Sequence, residues 1–64
     1  MTTIDKKKFK FAIKSYREEQ DLTQKELAGR LFTTATTIAR WELGISVPKS
    51  ERTIRDLRNL GVKV

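Results

Sequence analysis

A chain of 64 residues that contains neither cysteine nor histidine must hold itself together by packing alone. No disulfide can close a loop, and no Cys/His zinc site can staple a small fold. A chain this short buries only about 60% of the surface its unfolded form exposes, so its few large apolar residues must be used efficiently. Their spacing selects the element. Apolar and polar residues nowhere alternate over enough positions to make a strand, whereas apolar spacings of three and four recur throughout. The expected fold class is all-α, a compact bundle of four to five helices. With no repeats, low-complexity tracts or linkers, residues 1–64 read as a single domain.

The helix ends are marked. Asp5 suits the N-cap of a first helix that ends near Glu19 or Gln20, with Phe9, Ile13 and Tyr16 on one face and the small Ala12 beside them. The clearest start signal is Thr23-Gln24-Lys25-Glu26, a capping box in which Thr23 accepts from the backbone at Glu26 and Glu26 reaches back. Leu22 and Leu27 have the spacing of a hydrophobic staple, and Leu27, Ala28 and Leu31 form the buried stripe of a second helix of about two turns. After a turn at Phe32-Thr33, Thr34 is expected to cap a third helix that turns Ile38 and Trp41 inward and stops at Gly44. Ile45 and Val47 continue as an extended apolar connector, because Pro48 keeps the residue before it out of a helix. A last helix from about Ser50 carries Ile54, Leu57 and Leu60 on one face and ends at Gly61.

Composition narrows the chemistry. Without a thiol nucleophile or an imidazole base, Ser15, Ser46 and Ser50 have no activating neighbour, and Glu18, Glu19 and Asp21 read as a solvated helix end. No enzymatic activity, cofactor or metal is expected. Fourteen Lys and Arg against eight Asp and Glu give a net charge of +6, the footprint of a polyanion partner, although surplus charge also keeps a small domain in solution. No apolar run approaches the roughly 20 residues that span a bilayer, and the first residues lack the apolar stretch of a secretion signal. The expectation is a soluble intracellular protein with no membrane partner.

The segment LTQKELAGRLFTTATTIARWELG, Leu22 to Gly44, resembles the helix-turn-helix of the Cro and lambda-repressor-like (XRE) family. The family pattern is met at Leu22, Thr23, Gln24, Glu26, Leu27, Ala28, Leu31, Thr37, Ile38, Arg40, Trp41, Glu42, Gly44 and Pro48. The motif itself would occupy about residues 23–43, and the segments on either side fit the flanking helices. The resemblance implies a regulator in the cytoplasm of a bacterial host. Its partner would be a double-stranded DNA operator, read by a helix entering the ~12 Å major groove while the preceding helix crosses the backbone. By the family's pattern Gln24 would hold a phosphate, and Thr34, Ala35, Thr36, Ala39 and Arg40 would form the outward face of the reading helix. Lys25, Arg30, Lys49, Arg52 and Arg55 would add backbone contacts.

Each assignment has a plainer alternative. Gln24 can be an ordinary surface residue, Thr34 is first a helix cap, and Arg40 can pair with a nearby carboxylate. Lys6, Lys7 and Lys8 read as a solvated helix start, with a DNA arm as the alternative. The resemblance also implies a structural ion pair between Arg17 and Glu42. Partly buried, it would fix the orientation of the third helix more than it would add net stability; exposed, it would be worth little.

Two departures from the pattern open a fork. Many relatives carry Gly at the turn position held here by Phe32, and an aromatic residue enters the left-handed backbone region only at a cost. Either this turn is built differently, or Phe32 is strained, or it is kept for a contact. The reading face is also weakly polar: Ala35, Thr36 and Ala39 can meet thymine methyls but offer few hydrogen bonds. One reading is therefore a small Cro-like repressor of a phage or mobile-element genetic switch, acting on an operator as a weak homodimer built from the last helix or the tail Gly61 to Val64. The alternative is an antirepressor, a modulator that binds a phage repressor protein through Phe32, Ala35, Thr36 and Ala39 and blocks its DNA binding.

Overall fold

The computed structural model describes residues 4–64 and contains four helices, with no strand among the described residues. They are α1 (Lys6–Glu19), α2 (Gln24–Arg30), α3 (Ala35–Glu42) and α4 (Glu51–Leu60). The expected range of four to five helices thus resolves to four. The reading of a first segment without a secretion signal involves Met1 to Thr3, which lie outside the described residues.

Three helices start where a side chain takes over orphan amides. Asp5 Oδ1 accepts from the N–H groups of Lys7 and Lys8 at 2.9 and 3.3 Å. The Thr23–Glu26 capping box is complete: Glu26 N–H donates to Thr23 Oγ1 at 3.0 Å, and Thr23 N–H donates to Glu26 Oε1 at 2.9 Å. Thr34 Oγ1 accepts from Thr37 N–H at 3.3 Å. Ser50 makes no such side-chain bond, and α4 begins on the backbone closure from Ile54 N–H to Ser50 O.

All four helices end in a left-handed residue: Asp21 at φ 54°, Phe32 at φ 57°, Gly44 at φ 76° and Gly61 at φ 105°. This conformation turns the next amide back onto the last helical turn. Leu22 N–H thus reaches Arg17 O, Thr33 N–H reaches Ala28 O, Ile45 N–H reaches Arg40 O, and Val62 N–H reaches Leu57 O, each at 3.0 Å. Gly44 and Gly61 adopt the region freely and Asp21 tolerates it, whereas Phe32 enters it at a cost.

The core is small and fully used. Phe9, Ile13, Leu27, Ile38 and Leu57 are completely enclosed, each worth about 2 kcal/mol relative to an exposed position. Trp41 stands edge-on to Phe9, with ring centroids 5.5 Å apart at an interplanar angle of 73°. Leu22 joins Leu27 in the same core, as the staple spacing requires, and Val62 closes it after α4. Of the apolar connector, Val47 is half-buried but Ile45 is exposed. The radius of gyration, 10.4 Å, is close to the ~11 Å of a compact chain of this length.

Candidate nucleic-acid interface

The placement of α3 determines what the surface can read. Ile38 and Trp41 pin its inner face, and α3 packs on both α1 and α2. Its C-terminal end is tied by a polar node. Arg17, late in α1, donates from Nε to Glu42 Oε2 at 2.6 Å and from Nη2 to Glu42 Oε1 at 3.0 Å. Its third donor, Nη1, bonds the Leu22 carbonyl at 3.0 Å. Gln24, the first residue of α2, adds a long bond from Nε2 to Glu42 Oε1 at 3.4 Å. One carboxylate on the last residue of α3 therefore gathers donors from α1 and α2. No buried side-chain polar atom among the described residues lacks a partner.

The hydrogen bond to Glu42 raises the Arg17 guanidinium pKa above its ordinary value, and burial opposes it only in part. The side chains retain 18% and 7% of their exposure, so water screens the pair less than a surface pair. At the same N-terminal end of α2, the backbone N–H of Thr23 and then its hydroxyl hold the Glu26 carboxyl below its ordinary pKa.

Thr36 and Arg40, one turn apart on α3, are exposed and share a face. Ala35 and Ala39 are half-buried, so they border that face rather than crown it. Thr34 is exposed, but its hydroxyl is already engaged with Thr37, through the backbone N–H and the Thr37 Oγ1 at 3.1 Å. Gln24 is half-buried and leans on Glu42, while its amide nitrogen carries a second hydrogen that can still serve a ligand. Lys25 and Lys49 are exposed. Arg40 and Lys49 meet at an open groove of about 360 Å³ between α3 and the connector to α4, also lined by Thr37, Ser50 and Thr53. Neither cation is ion-paired; the one ion pair among the described residues is Arg17–Glu42.

Phe32 is left-handed, so the turn is not built to avoid that region. It adopts this conformation without shelter: 84% of it is exposed. The guanidinium carbon of Arg52, from the first turn of α4, lies 5.9 Å from its ring centroid. Neither this contact nor the bond from Gln24 to Glu42 has a local sequence signal, because each joins elements that only the tertiary fold brings together.

Residues 12–63, more than half of the chain, match the sequence pattern of a family described as helix-turn-helix domain. No curated protein and no solved structure matches the chain. No helix among the described residues is long and apolar enough to cross a membrane. The two capped helices, the tight turn between them and this match agree: the chain belongs to the helix-turn-helix domain family, which supports a DNA-binding transcriptional regulator.

Proposed function

We propose that the protein is a sequence-specific DNA-binding repressor of the Cro-like kind, serving a phage or mobile-element switch, with α3 as its reading helix. The observation that carries this reading is the exposed pair Thr36 and Arg40 on a helix whose orientation is set at its far end by Glu42. Arg40 supplies a forked donor suited to guanine, and the methyls of Thr36, Ala35 and Ala39 suit thymine. Lys25, Lys49 and Arg52, all exposed and without an ion-pair partner among the described residues, supply phosphate contacts that set register. Gln24 adds one more from the start of α2. The functional unit is a weak homodimer on a two-fold operator, which gives two half-sites one helical turn apart.

Selection from a pool of random duplexes tests this. A regulator of this kind enriches a short motif, and two-fold symmetry in that motif indicates the dimer. A pool that stays random after repeated rounds overturns the reading.

Phe32 favours a second reading. A large, strained aromatic residue in the turn beside α3 is also what a protein-binding surface would carry, and it continues onto the half-buried Ala35 and Ala39. Under this reading the same face binds a phage repressor and blocks its access to DNA. The two separate on one substitution: Arg40→Ala harms DNA binding most, whereas Phe32→Ser harms repressor binding most.

A further inference from the structure

A second surface borders the C-terminal end of the face that carries Thr36 and Arg40, where Leu43 follows Arg40 by three residues. Phe11 on α1 is 64% exposed, and Leu43 and Ile45 at the end of α3 are 68% and 61% exposed. Lys10 links them. Its stem crosses Gly44, so that a Cβ built there would stand 3.2 Å from Lys10 Cδ, and its Nζ lies 5.2 Å from the Phe11 ring centroid. Lys7, Phe11 and Lys14 follow one another at helical spacings of four and three and form one exposed row, with Glu18 at its C-terminal end. Phe11 also borders a groove of about 330 Å³ lined by Ala12, Tyr16, Gly61 and Val62. The chain keeps three large apolar side chains in water here, beside three lysines that have no ion-pair partner among the described residues.

We propose that Phe11, Leu43 and Ile45, ringed by Lys7, Lys10 and Lys14, dock an acidic amphipathic helix of a partner protein. Charge selects this occupant. In a symmetric pairing the same patch faces itself, so a second copy would bring lysines against lysines on chains that already carry +6 each. DNA satisfies the lysines but leaves the apolar residues nothing to bury against. A helix with leucines on one face and carboxylates on its flanks meets both needs. Leu43 and Ile45 lie at the end of α3 away from its Thr34 cap, a helix length of about 12 Å, so a docked helix leaves the N-terminal turns of α3 uncovered.

The test is a nitrogen-15 NMR titration of the full chain with a synthetic peptide. The peptide carries Leu at i, i+3, i+4 and i+7 with Glu between, and a scrambled peptide of the same composition is the control. Shifts should concentrate at Lys7 to Ser15 and Leu43 to Ile45. Phe11→Ser should weaken binding about tenfold, as loss of an anchoring aromatic does. Lys7→Glu, Lys10→Glu and Lys14→Glu together should abolish it and transfer preference to a peptide with Lys in place of Glu. These substitutions sit at exposed or half-exposed positions, and the amide spectrum of each variant reports that it remains folded. No response at about 1 mM peptide, an equal response to the scrambled peptide, or shifts centred on Thr36 and Arg40 would overturn the proposal. So would self-association without peptide that Phe11→Ser removes, because the occupant would then be a second copy.

Discussion

Arg17 grips both carboxylate oxygens of Glu42, at 2.6 and 3.0 Å, across 25 positions of sequence. The contact joins the end of α1 to the end of α3, and the same guanidinium holds Leu22 O at the start of the segment leading into α2. A forked donor on a fixed carboxylate leaves little rotational freedom. The pair thus couples the orientation of α3 to the rest of the fold, and Gln24 braces it from α2.

Removing one partner should cost more than removing both. Arg17→Ala leaves the largely buried Glu42 carboxylate without its main donor and should destabilise the protein by about 2 to 3 kcal/mol. Arg17→Met combined with Glu42→Leu should recover most of that loss in urea unfolding. Because the Arg17 pKa is raised in the fold, the contribution of its charge is fully present at neutral pH and is lost only as pH rises through that raised value, in strong alkali. Destabilisation additive between Arg17→Ala and Glu42→Ala would show that the two residues are not coupled.

Phe32→Gly should make the protein more stable. It relieves a left-handed aromatic residue, partly offset by the greater freedom of Gly in the unfolded chain, for a net gain of about 1 kcal/mol. In a domain of this size that raises the melting temperature by roughly 4–8 °C. Phe32→Ala removes the ring but keeps the Cβ, so it should gain little. If Phe32 is kept for a contact, both variants lose binding to that partner while only the Gly variant gains stability. Equal melting temperatures for the two variants would contradict strain at this turn.

The capping box predicts an acid-side dependence. The Thr23 backbone N–H and hydroxyl depress the Glu26 pKa, so the interaction is fully present above the ordinary carboxylate value and is lost as pH falls through the lower folded value. An NMR titration of the Glu26 side chain should show the depressed midpoint. Thr23→Ala, which removes the hydroxyl and leaves the backbone donor, should bring it part of the way back. A midpoint unchanged by Thr23→Ala would remove the hydroxyl from this account.

The helix starts were legible because capping is local chemistry: Asp5, Thr23 and Thr34 each bond amides within three residues. Gly44 and Gly61 were legible as stops for the same reason, since both take the left-handed conformation that Gly adopts freely. Asp21 was not, because Asp tolerates the left-handed region without requiring it, and the bond from Leu22 N–H back to Arg17 O closes the turn around it. Phe32 could be read only as a fork, and its left-handed backbone excludes only the branch in which the turn avoids that region. On α3, periodicity places Thr36 and Arg40 outward. It does not show that Ala35 and Ala39 are half-covered or that Gln24 leans on Glu42, since both depend on how α2 crosses α3.

The central claim, that α3 reads DNA, is tested most directly by titrating a selected duplex with the wild-type chain and with Arg40→Ala at two salt concentrations. Six cationic phosphate contacts in the dimer, from Lys25, Lys49 and Arg52 of each protomer, should cost the wild type on the order of a thousandfold in affinity between about 50 and about 200 mM salt. Arg40→Ala should bind about ten- to a hundredfold more weakly and lose preference over random duplex at the base it contacts. Wild-type binding no tighter than to random duplex, with Arg40→Ala indistinguishable from it at both salt concentrations, would contradict the account.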